Sequence, residues 1–392
     1  MTGREQVLEA SSWVGRGCPY HLARTFATAI LAFAHSMLAA LRHPGFAGQQ
    51  RRLDGTGNPS MGFRRSRRVA ACGMRLTCVV AIALVVMAVG SARAEEKEVQ
   101  VARRKASPPG VVSVVFVGDI MLDNGPGNVV AAGKDPFAAC RDLLLDGDFT
   151  VGNLECVLGK GGRQVLKPYT FRGATDSPRF LKPYFSLLGA ANNHSLDFGP
   201  DGLLESLAVL DRAGIPHVGA GPTLAAARKP FLLEKDGFRI AILACNDFQG
   251  EKLAAGPDTP GVNPLRADDL VADVAAARRQ ADAVVPFIHW GPELVAQPYD
   301  EHRALARRLV DAGAAAVIGG HPHVTQTVDT YRGTPIVYSL GNFVFDYYPV
   351  DPPEWTGWVA KLTFAKDRPV DLETRAVVLD AAGIPKPAAE DE

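Results

Sequence analysis

The stretch VVSVVFVGD, residues 111–119, indicates the fold class of this chain of 392 residues. It is an apolar, β-branched run that stops at Gly-Asp, which is typical of a buried strand entering a loop. Similar runs recur at 148–155, 185–194, 238–247, 281–291, 314–323 and 334–343. Helical patterns at 135–146, 200–214, 267–280 and 299–313 separate several of them. This alternation predicts an α/β architecture with buried strands, and the strand-rich region after residue 357 is expected to complete a sheet edge.

The charged residues are divided unevenly along the chain. The first 94 residues contain twelve Arg and no Lys against three acidic residues, which leaves 30 basic and 39 acidic residues in the remainder. An acidic body argues against a general nucleic-acid-binding protein, because that class neutralises phosphates with Lys and Arg. We therefore expect no nucleic-acid partner, and the basic N-terminal part is better explained by targeting.

Residues 61–94 have the order of a secretory signal. A cationic stretch at 63–75 precedes an apolar run at 76–90, and Ala92-Arg93-Ala94 matches an A-x-A cleavage site. The protein is thus expected to be exported to the periplasm or the extracellular space. If the signal is not cleaved, this segment is a membrane anchor and the only contact with the membrane.

The rest of the chain divides into an upstream part and a body. Residues 1–60 precede the signal, so we interpret them as an over-extended reading frame; the alternative is an additional membrane segment at 25–41. The body is predicted to comprise a linker at 95–110, one domain at 111–382 and a flexible tail at 383–392. Its cysteines, Cys140, Cys156 and Cys245, leave room for one disulfide but do not form a disulfide framework.

Polar residues collect where the predicted strands end. They are Asp119, Asn153, Glu155, Asn192, Asn193, His194, Asp197, His289, Glu293, His321 and His323. Each has an ordinary explanation as a turn, a helix cap or a structural histidine. Together they indicate a site, because ligands of open α/β sheets bind at the carboxyl ends of the strands. Carboxylate, amide and imidazole groups suit one or two divalent ions of Mn, Fe or Zn.

His321-Pro322-His323 is the most specific of these signals. In an extended segment, residues at i and i+2 face the same side, so the two imidazoles are expected to converge. Pro322 would stiffen the pair, and the glycines before it permit close backbone approach.

Seven motifs in order carry a resemblance to a known family. They are GDIML (118–122), NLE (153–155), FRG (171–173), ANNHSLDFG (191–199), HWGPE (289–293), GGHPH (319–323) and SLGNF (339–343). This series resembles the bacterial capsule-synthesis CapA family, which is linked to poly-γ-glutamate production. The family in turn is similar to the calcineurin-type metallophosphoesterases. The resemblance implies a four-layer αββα sandwich, in which two mixed sheets lie between helices.

The same resemblance implies roles for individual residues. The implied metal ligands are Asp119, Glu155 (near the position of the bridging carboxylate), Asn193, His289, His321 and His323. His194 is implied to protonate the leaving oxygen. The sequence departs from the phosphoesterase pattern at Met121, where a histidine is usual, and at Glu155, where Asp is usual. One ion, or two ions of unequal affinity, is therefore expected.

Four further residues are candidates around this centre. Asp197 is close enough in sequence to orient His194 as a general acid. Arg172 is a candidate to hold a carboxylate or phosphate through its planar guanidinium group. Glu293 is an additional ligand or an acceptor for a ligand histidine, and Asn342 is a candidate to line the site.

Three functions remain open at this point. The first is an extracytoplasmic metal-dependent hydrolase that cleaves a phosphoester or amide-like bond in an anionic envelope polymer. The second is a non-catalytic protein that handles or exports poly-γ-glutamate together with the polyglutamate synthase or export machinery. The third is a general extracytoplasmic metallophosphatase with a phosphoester substrate. The four histidines at strand ends favour catalysis, and Met121 argues against it.

Overall fold

The computed structural model describes residues 104–346 and 355–389. The predicted signal at 61–94, the upstream region 1–60 and residues 95–103 of the predicted linker lie outside this range. Among the described helices, none combines the length and the apolar character that crossing a bilayer requires.

Eighteen strands and eight α-helices make up the described part of the chain. The strands are β1 (Val111–Ile120), β2 (Phe149–Leu154), β3 (Val157–Leu158), β4 (Arg172–Gly173), β5 (Leu187–Gly189), β6 (His217–Val218), β7 (Ala220–Gly221), β8 (Phe231–Lys235), β9 (Phe238–Asn246), β10 (Gly261–Val262), β11 (Ala283–His289), β12 (Val317–Gly320), β13 (Val328–Tyr331), β14 (Thr334–Val337), β15 (Asn342–Val344), β16 (Thr356–Ala365), β17 (Asp371–Leu379) and β18 (Pro385–Pro387). The helices are α1 (Asn124–Ala131), α2 (Arg141–Leu144), α3 (Pro178–Leu181), α4 (Gly199–Ala213), α5 (Leu224–Arg228), α6 (Gly250–Leu253), α7 (Ala267–Ala277) and α8 (Asp300–Asp311).

Two mixed sheets contain most of these strands. The first has eight strands in the order β18-β17-β16-β1-β2-β5-β6, with β15 also paired to β1. The second has six strands in the order β13-β14-β12-β11-β9-β8. Strands β1, β2, β5, β6 and β15 are parallel neighbours in the first sheet, and β9, β11, β12 and β14 are parallel neighbours in the second. Their carboxyl ends therefore share one edge of each sheet.

The strand β1 shows how the layers are built. Its residues alternate between two apolar clusters, with Val114 and Phe116 on one face and Val115 and Val117 on the other. The first pair packs against the second sheet, where the rings of Phe116 and Phe287 meet edge to face with centroids 5.8 Å apart. The second pair belongs to a cluster that includes buried residues of the helices on the outer face of the first sheet.

A third apolar cluster covers the outer face of the second sheet. It joins residues of β9 and β11 to buried residues of α7 and α8, such as Val274 and Leu309. The order of layers is thus helix, sheet, sheet, helix. The expected four-layer αββα sandwich is confirmed, and β16, β17 and β18 complete the edge of the first sheet as the strand-rich C-terminal region predicts.

Local chemistry corrects two of the expected helix and strand bounds. The helix expected at 135–146 is reduced to a 3-10 turn (Ala138–Cys140) and α2, because the Asp135 carboxylate accepts a hydrogen bond from the Phe137 amide, 2.9 Å away, and holds a turn. The strand expected at 334–343 is divided into β14 and β15, which belong to different sheets. Gly341, at φ 67°, lies at the bend where the chain crosses between them.

Both ends of the predicted domain extend further than expected. Part of the linker is anchored, since the Lys105 amide donates to the Leu145 carbonyl at 2.9 Å. Part of the tail expected to be flexible forms β18, which pairs with β17. Asp380 turns the chain back onto the sheet by accepting hydrogen bonds from the amides of Ala382 and Ile384. The three body cysteines are buried and free, so no disulfide joins them.

The packing of β1 against the loop after β14 can be tested by a substitution at Gly118, one residue before Asp119. A Cβ at this position would lie 1.9 Å from the Gly341 carbonyl oxygen, so Gly118→Ala forces backbone to move. We expect the free energy of unfolding in urea to fall by about 1–3 kcal/mol. Gly250→Ala is the matched control, because its added Cβ meets only ordinary contacts at 3.7 Å or more. Equal stability of the two variants would contradict this account of Gly118.

Candidate metal centre

Strand pairing brings the predicted polar residues to one edge of the sandwich. In the first sheet, Asp119 is paired with Asn153 on one side and with Asn342 on the other. In the second sheet, His289 is paired with Gly320, so that His321 follows at the same level. The two sheets pack face to face, and their side chains meet at this edge.

The cluster that results, here called the metal cluster, contains three overlapping groups of candidate ligands. Within each group, one ligand atom per residue lies within 4.8 Å of the others. The groups are Asp119, Glu155 and His323; Glu155, His289 and His321; and Glu293, His321 and His323. All of these side chains are buried except Glu293, which is partly exposed.

Asparagines hold the rings and carboxylates of the metal cluster in place. The Asn153 amide donates to Asp119 Oδ1 at 2.8 Å and lies 3.3 Å from His289 Nδ1. Asn193 Oδ1 lies 2.9 Å from His289 Nε2, which places this predicted ligand beside the cluster. Asn192 in turn donates to Asn153 Oδ1 at 3.0 Å. Asn153 and Asn192 were not among the predicted ligands, although their place at strand ends was apparent in the sequence.

The His321-Pro322-His323 segment converges, but for a different reason than expected. The segment is not extended, because His321 has φ 94° and His323 has φ 57°. Both values lie in the left-handed region that non-glycine residues seldom adopt. The ring centroids are 5.9 Å apart, and His323 Nδ1 lies 2.9 Å from Asn342 Oδ1. This contact leaves His323 Nε2 facing Glu155 Oε1, 3.9 Å away.

Burial controls the ionisation of the two carboxyl groups. Burial, together with the nearby charge of Glu155, raises the pKa of Asp119 to about 6 against the opposing effect of the histidines. Burial also raises the pKa of Glu155. Both carboxyl groups therefore hold a proton more tightly than an exposed carboxyl group does.

The three histidines respond to burial in different ways. Burial lowers the pKa of His289 to about 4 and lowers that of His321 well below its ordinary value. Burial also disfavours the charged form of His323, but the carboxylates of Glu155 and Asp119 outweigh it and raise the pKa. His289 and His321 are consequently neutral near pH 7, which is the form that binds a metal ion.

Unsatisfied polar atoms show that this donor set fits a divalent ion. Within the described part of the chain, neither carboxylate oxygen of Glu155 nor either ring nitrogen of His321 has a hydrogen-bond partner, and both residues are fully buried. Buried polar groups without partners are costly and rare in folded proteins. A divalent cation would satisfy both, and oxygen and imidazole ligands suit Mn, Fe or Zn.

The predicted acid–base pair lies beside the metal cluster. His194 Nδ1 is 2.8 Å from Asp197 Oδ2, and both side chains are buried. The ring of Phe171 packs against His194 with centroids 4.4 Å apart, and the Phe171 amide donates to Asp197 Oδ2 at 2.7 Å. Asp197 therefore fixes both the ring of His194 and the backbone of the FRG motif.

Lys167 is a component of this pair that the sequence did not indicate. Its ammonium group forms an ion pair with Asp197, donates to the Asn193 carbonyl at 2.9 Å and lies 3.4 Å from His194 Nδ1. Lys167 occupies an irregular loop without periodicity, so no local pattern connects it with residues near position 194.

The other predicted residues are placed around the centre in ways that refine their expected roles. The Arg172 guanidinium donates to the carbonyls of Gly159 and Gly161, so it is engaged by the protein itself. Asn342 is buried behind His323 and does not line an open surface. Met121 is fully buried in the outer apolar cluster of the first sheet, where it supplies no ligand.

Comparison with known protein families identifies the family to which this chain belongs. The model of the bacterial capsule synthesis protein PGA_cap matches residues 113–347, a range that contains every residue of the cluster. The chain belongs to this family. The resemblance to the capsule-synthesis family that the motifs carry is thereby confirmed.

Two curated relatives of this PGA_cap chain share much of its body. The PGA biosynthesis protein CapA of Bacillus subtilis (strain 168) is 37% identical over 242 residues, which are 60% of this chain and 64% of that protein. The capsule biosynthesis protein CapA of Bacillus anthracis is 31% identical over 246 residues, 60% of each protein. The chain thus covers less than two thirds of the length of both. A solved 5′-nucleotidase precursor from Thermus thermophilus aligns at 14% identity and a TM-score of 0.44, over 70% of this chain and 56% of that chain.

Metal uptake by this PGA_cap protein is expected to depend on pH. At pH 5 the Asp119 carboxyl, with a pKa of about 6, is mostly protonated, and His323, with its raised pKa, is charged. His289, with a pKa of about 4, is neutral at both pH 5 and pH 7 and adds no competition. Protons therefore compete with the ion more strongly at the lower pH, and titration calorimetry with Mn²⁺ should show an affinity at least about tenfold lower at pH 5 than at pH 7. Equal affinities would contradict the assigned ligands.

The substitution Glu155→Gln should affect the stability of the metal-free protein and that of the metal-loaded protein differently. The wild-type fold buries the Glu155 carboxyl group, whose oxygens have no hydrogen-bond partner among the described residues, and a neutral amide of the same shape avoids the cost of burying its charge, about 1–3 kcal/mol. We expect metal-free Glu155→Gln to melt at or above the metal-free wild type in calorimetry. Added Mn²⁺ should raise the melting temperature of the wild type alone. A similar rise in the variant would exclude Glu155 as a ligand.

Proposed function

We propose that this protein is an exported, metal-dependent hydrolase that acts on an anionic polymer during capsule biosynthesis. The observation that carries the proposal is the buried metal cluster, in which Glu155 and His321 lack hydrogen-bond partners among the described residues. A protein with only a structural role has no evident reason to keep these groups unsatisfied at the ends of its strands.

In this proposal, one set of residues binds the metal ion and another excludes water from the site. Asp119, Glu155, His289, His321 and His323 hold the ion, and Asn193 and Glu293 lie where they can complete its ligands. A divalent ion at such a centre supplies Lewis-acid polarisation of a carbonyl or phosphoryl oxygen. The phenylalanine rings beside His194, His321 and His323 exclude water from the same space, which strengthens electrostatic interactions there.

His194 acts as the general acid. Its Nδ1 is held by Asp197 at 2.8 Å, which leaves Nε2 as the nitrogen that donates a proton to the leaving group. Asp197 fixes the ring and favours this tautomer, and the Lys167 ammonium compensates the buried charge of Asp197. The pair thus keeps its geometry when the proton is transferred.

The substrate class and the location rest on the relatives and on the N-terminal sequence. The relative from Bacillus subtilis is named a PGA biosynthesis protein, which supports an anionic polymer and an association with the machinery that makes or exports it. The A-x-A site at Ala92–Ala94, after an apolar run, supports export to the periplasm or the extracellular space, with or without a retained anchor.

A non-catalytic protein that handles the polymer is the second candidate. Met121 favours it, because the position where phosphoesterases usually carry a ligand histidine is buried in an apolar cluster. Such a protein would use the metal cluster only to bind carboxylates of the polymer. Turnover distinguishes the two candidates, since both predict bound metal.

Metal content and turnover test the proposal in the same three variants. Elemental analysis of protein purified without chelator should find one or two equivalents of Mn, Fe or Zn in the wild type. His321→Ala should lose most of the metal, because it removes a ligand from two of the three groups. His194→Ala should keep the metal and lose turnover of phosphoester or γ-glutamyl substrates by about 10²-fold or more. His217→Ala, whose ring pairs with Asp211 away from the metal cluster, is the control.

Each possible failure has its own meaning. A wild-type protein that neither contains nor takes up Mn or Zn would overturn the metal centre. Bound metal without turnover of any phosphoester or γ-glutamyl substrate would favour the non-catalytic candidate. Unchanged activity and metal content in both His194→Ala and His321→Ala would show that the site lies elsewhere.

A further inference from the structure

The segment Gly159–Gly173, here called the basic loop, has an unusual charge for this protein. It contains four basic residues, Lys160, Arg163, Lys167 and Arg172, and no acidic residue. The chain after residue 94, by contrast, has 30 basic and 39 acidic residues. The loop follows β3 and ends with the FRG motif, and its middle contacts the acid–base pair through Lys167. A local positive charge beside the proposed centre therefore interrupts an otherwise acidic body.

The base of the basic loop is fixed by specific contacts. The Arg172 guanidinium donates to the carbonyls of Gly159 and Gly161 at 3.1 and 2.9 Å and stacks on Phe198 at 3.5 Å. Glu205 accepts hydrogen bonds from the amides of Lys160 and Gly161. Arg172 thus serves to shape the loop, and the loop presents its other side chains in a defined arrangement.

The middle of the basic loop is fixed at the acid–base pair. The Val165 amide donates to the Asp197 carbonyl at 2.9 Å, and Lys167 pairs with the Asp197 carboxylate. Further along, the Phe171 amide donates to Asp197 Oδ2. Three points of the loop are thereby tied to one buried residue, so a molecule bound along the loop is held beside His194.

The outer face of the basic loop is exposed and combines charge with apolar surface. Lys160 and Arg163 are exposed, and neither has an acidic partner within 4.0 Å among residues 104–346 and 355–389. Leu166 is fully exposed, and Tyr169 is 45% exposed. With Val165, these side chains place three exposed apolar residues within residues 165–169, and exposed apolar residues grouped in this way are typical of a binding surface.

We propose that the basic loop is a docking surface for an extended polycarboxylate chain, which it leads past Lys167 to His194. The proposal rests on the proposed function, because it names the surface that brings the polymer to that site. Lys160 and Arg163 pair with carboxylates along the chain. Leu166 and Tyr169 contact the aliphatic segments between the carboxylates, which a simple polyphosphate lacks.

Charge reversal on the outer face tests the proposal. The probe is fluorescein-labelled γ-linked polyglutamate, and its binding to the full-length protein is followed by fluorescence anisotropy at low and at physiological ionic strength. The double substitution Lys160→Glu and Arg163→Glu should raise the dissociation constant about tenfold at low salt, and less at physiological salt, because exposed charges are screened.

A matched control separates local charge from net charge. Lys366 and Arg368 are also exposed, and they follow the end of β16 that pairs with the start of β1, at the opposite edge from Asp119. Lys366→Glu with Arg368→Glu changes the net charge by the same amount and should leave the affinity within about twofold of the wild type. If the two double variants lose affinity equally, or neither loses any, the docking surface is refuted.

Three further measurements test the docking surface and separate it from the metal centre. Leu166→Asp alters a fully exposed residue, so it should weaken binding without unfolding the protein, whereas unchanged affinity contradicts the proposal. Displacement of the probe by inorganic polyphosphate at a lower charge concentration than by unlabelled polyglutamate would assign the loop to phosphates and overturn it. Metal content is measured in every variant: a metal-free protein that binds polymer through the loop refutes the hydrolase but supports the docking surface.

Discussion

The face-to-face packing of the two sheets is the constraint on which the rest of this structure depends. Asp119 and Glu155 come from the first sheet, and His289, His321 and His323 come from the second. The apolar layer between the sheets, with Phe116 against Phe287 at its centre, sets their separation and their register. Because side chains interdigitate at a fixed density, a shift of one sheet would move every ligand on it together. The sandwich therefore acts as a rigid frame for the site, and no single loop determines its geometry.

The electrostatics of the centre follow from the same burial. Two carboxyl groups and three imidazoles are placed where water has little access. Burial favours the neutral form of each group, so it raises the pKa values of the carboxyl groups and lowers that of His289. His323 is the exception, because the nearby carboxylates raise its pKa. Such an arrangement is unfavourable without a cation. The fold tolerates it because the apolar clusters on both faces of each sheet supply the stabilising free energy, which offsets the unfavourable electrostatics at the edge.

Much of the fold and most of the metal cluster could be predicted from the sequence, because both depend on patterns that are local along the chain. Apolar runs that end in polar residues indicated β1 and β11 and, with them, Asp119 and His289 as candidate ligands. Features set by distant contacts could not be predicted. The contact of Lys167 with Asp197 depends on how an irregular loop folds back, and the division of 334–343 into two strands depends on which sheet accepts each half. The His-Pro-His segment converges through left-handed backbone at both histidines, whereas its sequence indicated an extended segment.

The distribution of the ligands along the chain also determines when the centre can exist. His321 and Asp119 are 202 residues apart, and the ligands between them alternate with whole strands and helices of both sheets. Closing a loop of that length has an entropic cost that only the completed sandwich offsets. A partly synthesised chain, which lacks the second sheet, does not bring these residues together. An ion at this centre would therefore bind only after the sandwich has folded, so the ions present where folding finishes would determine which one occupies the site.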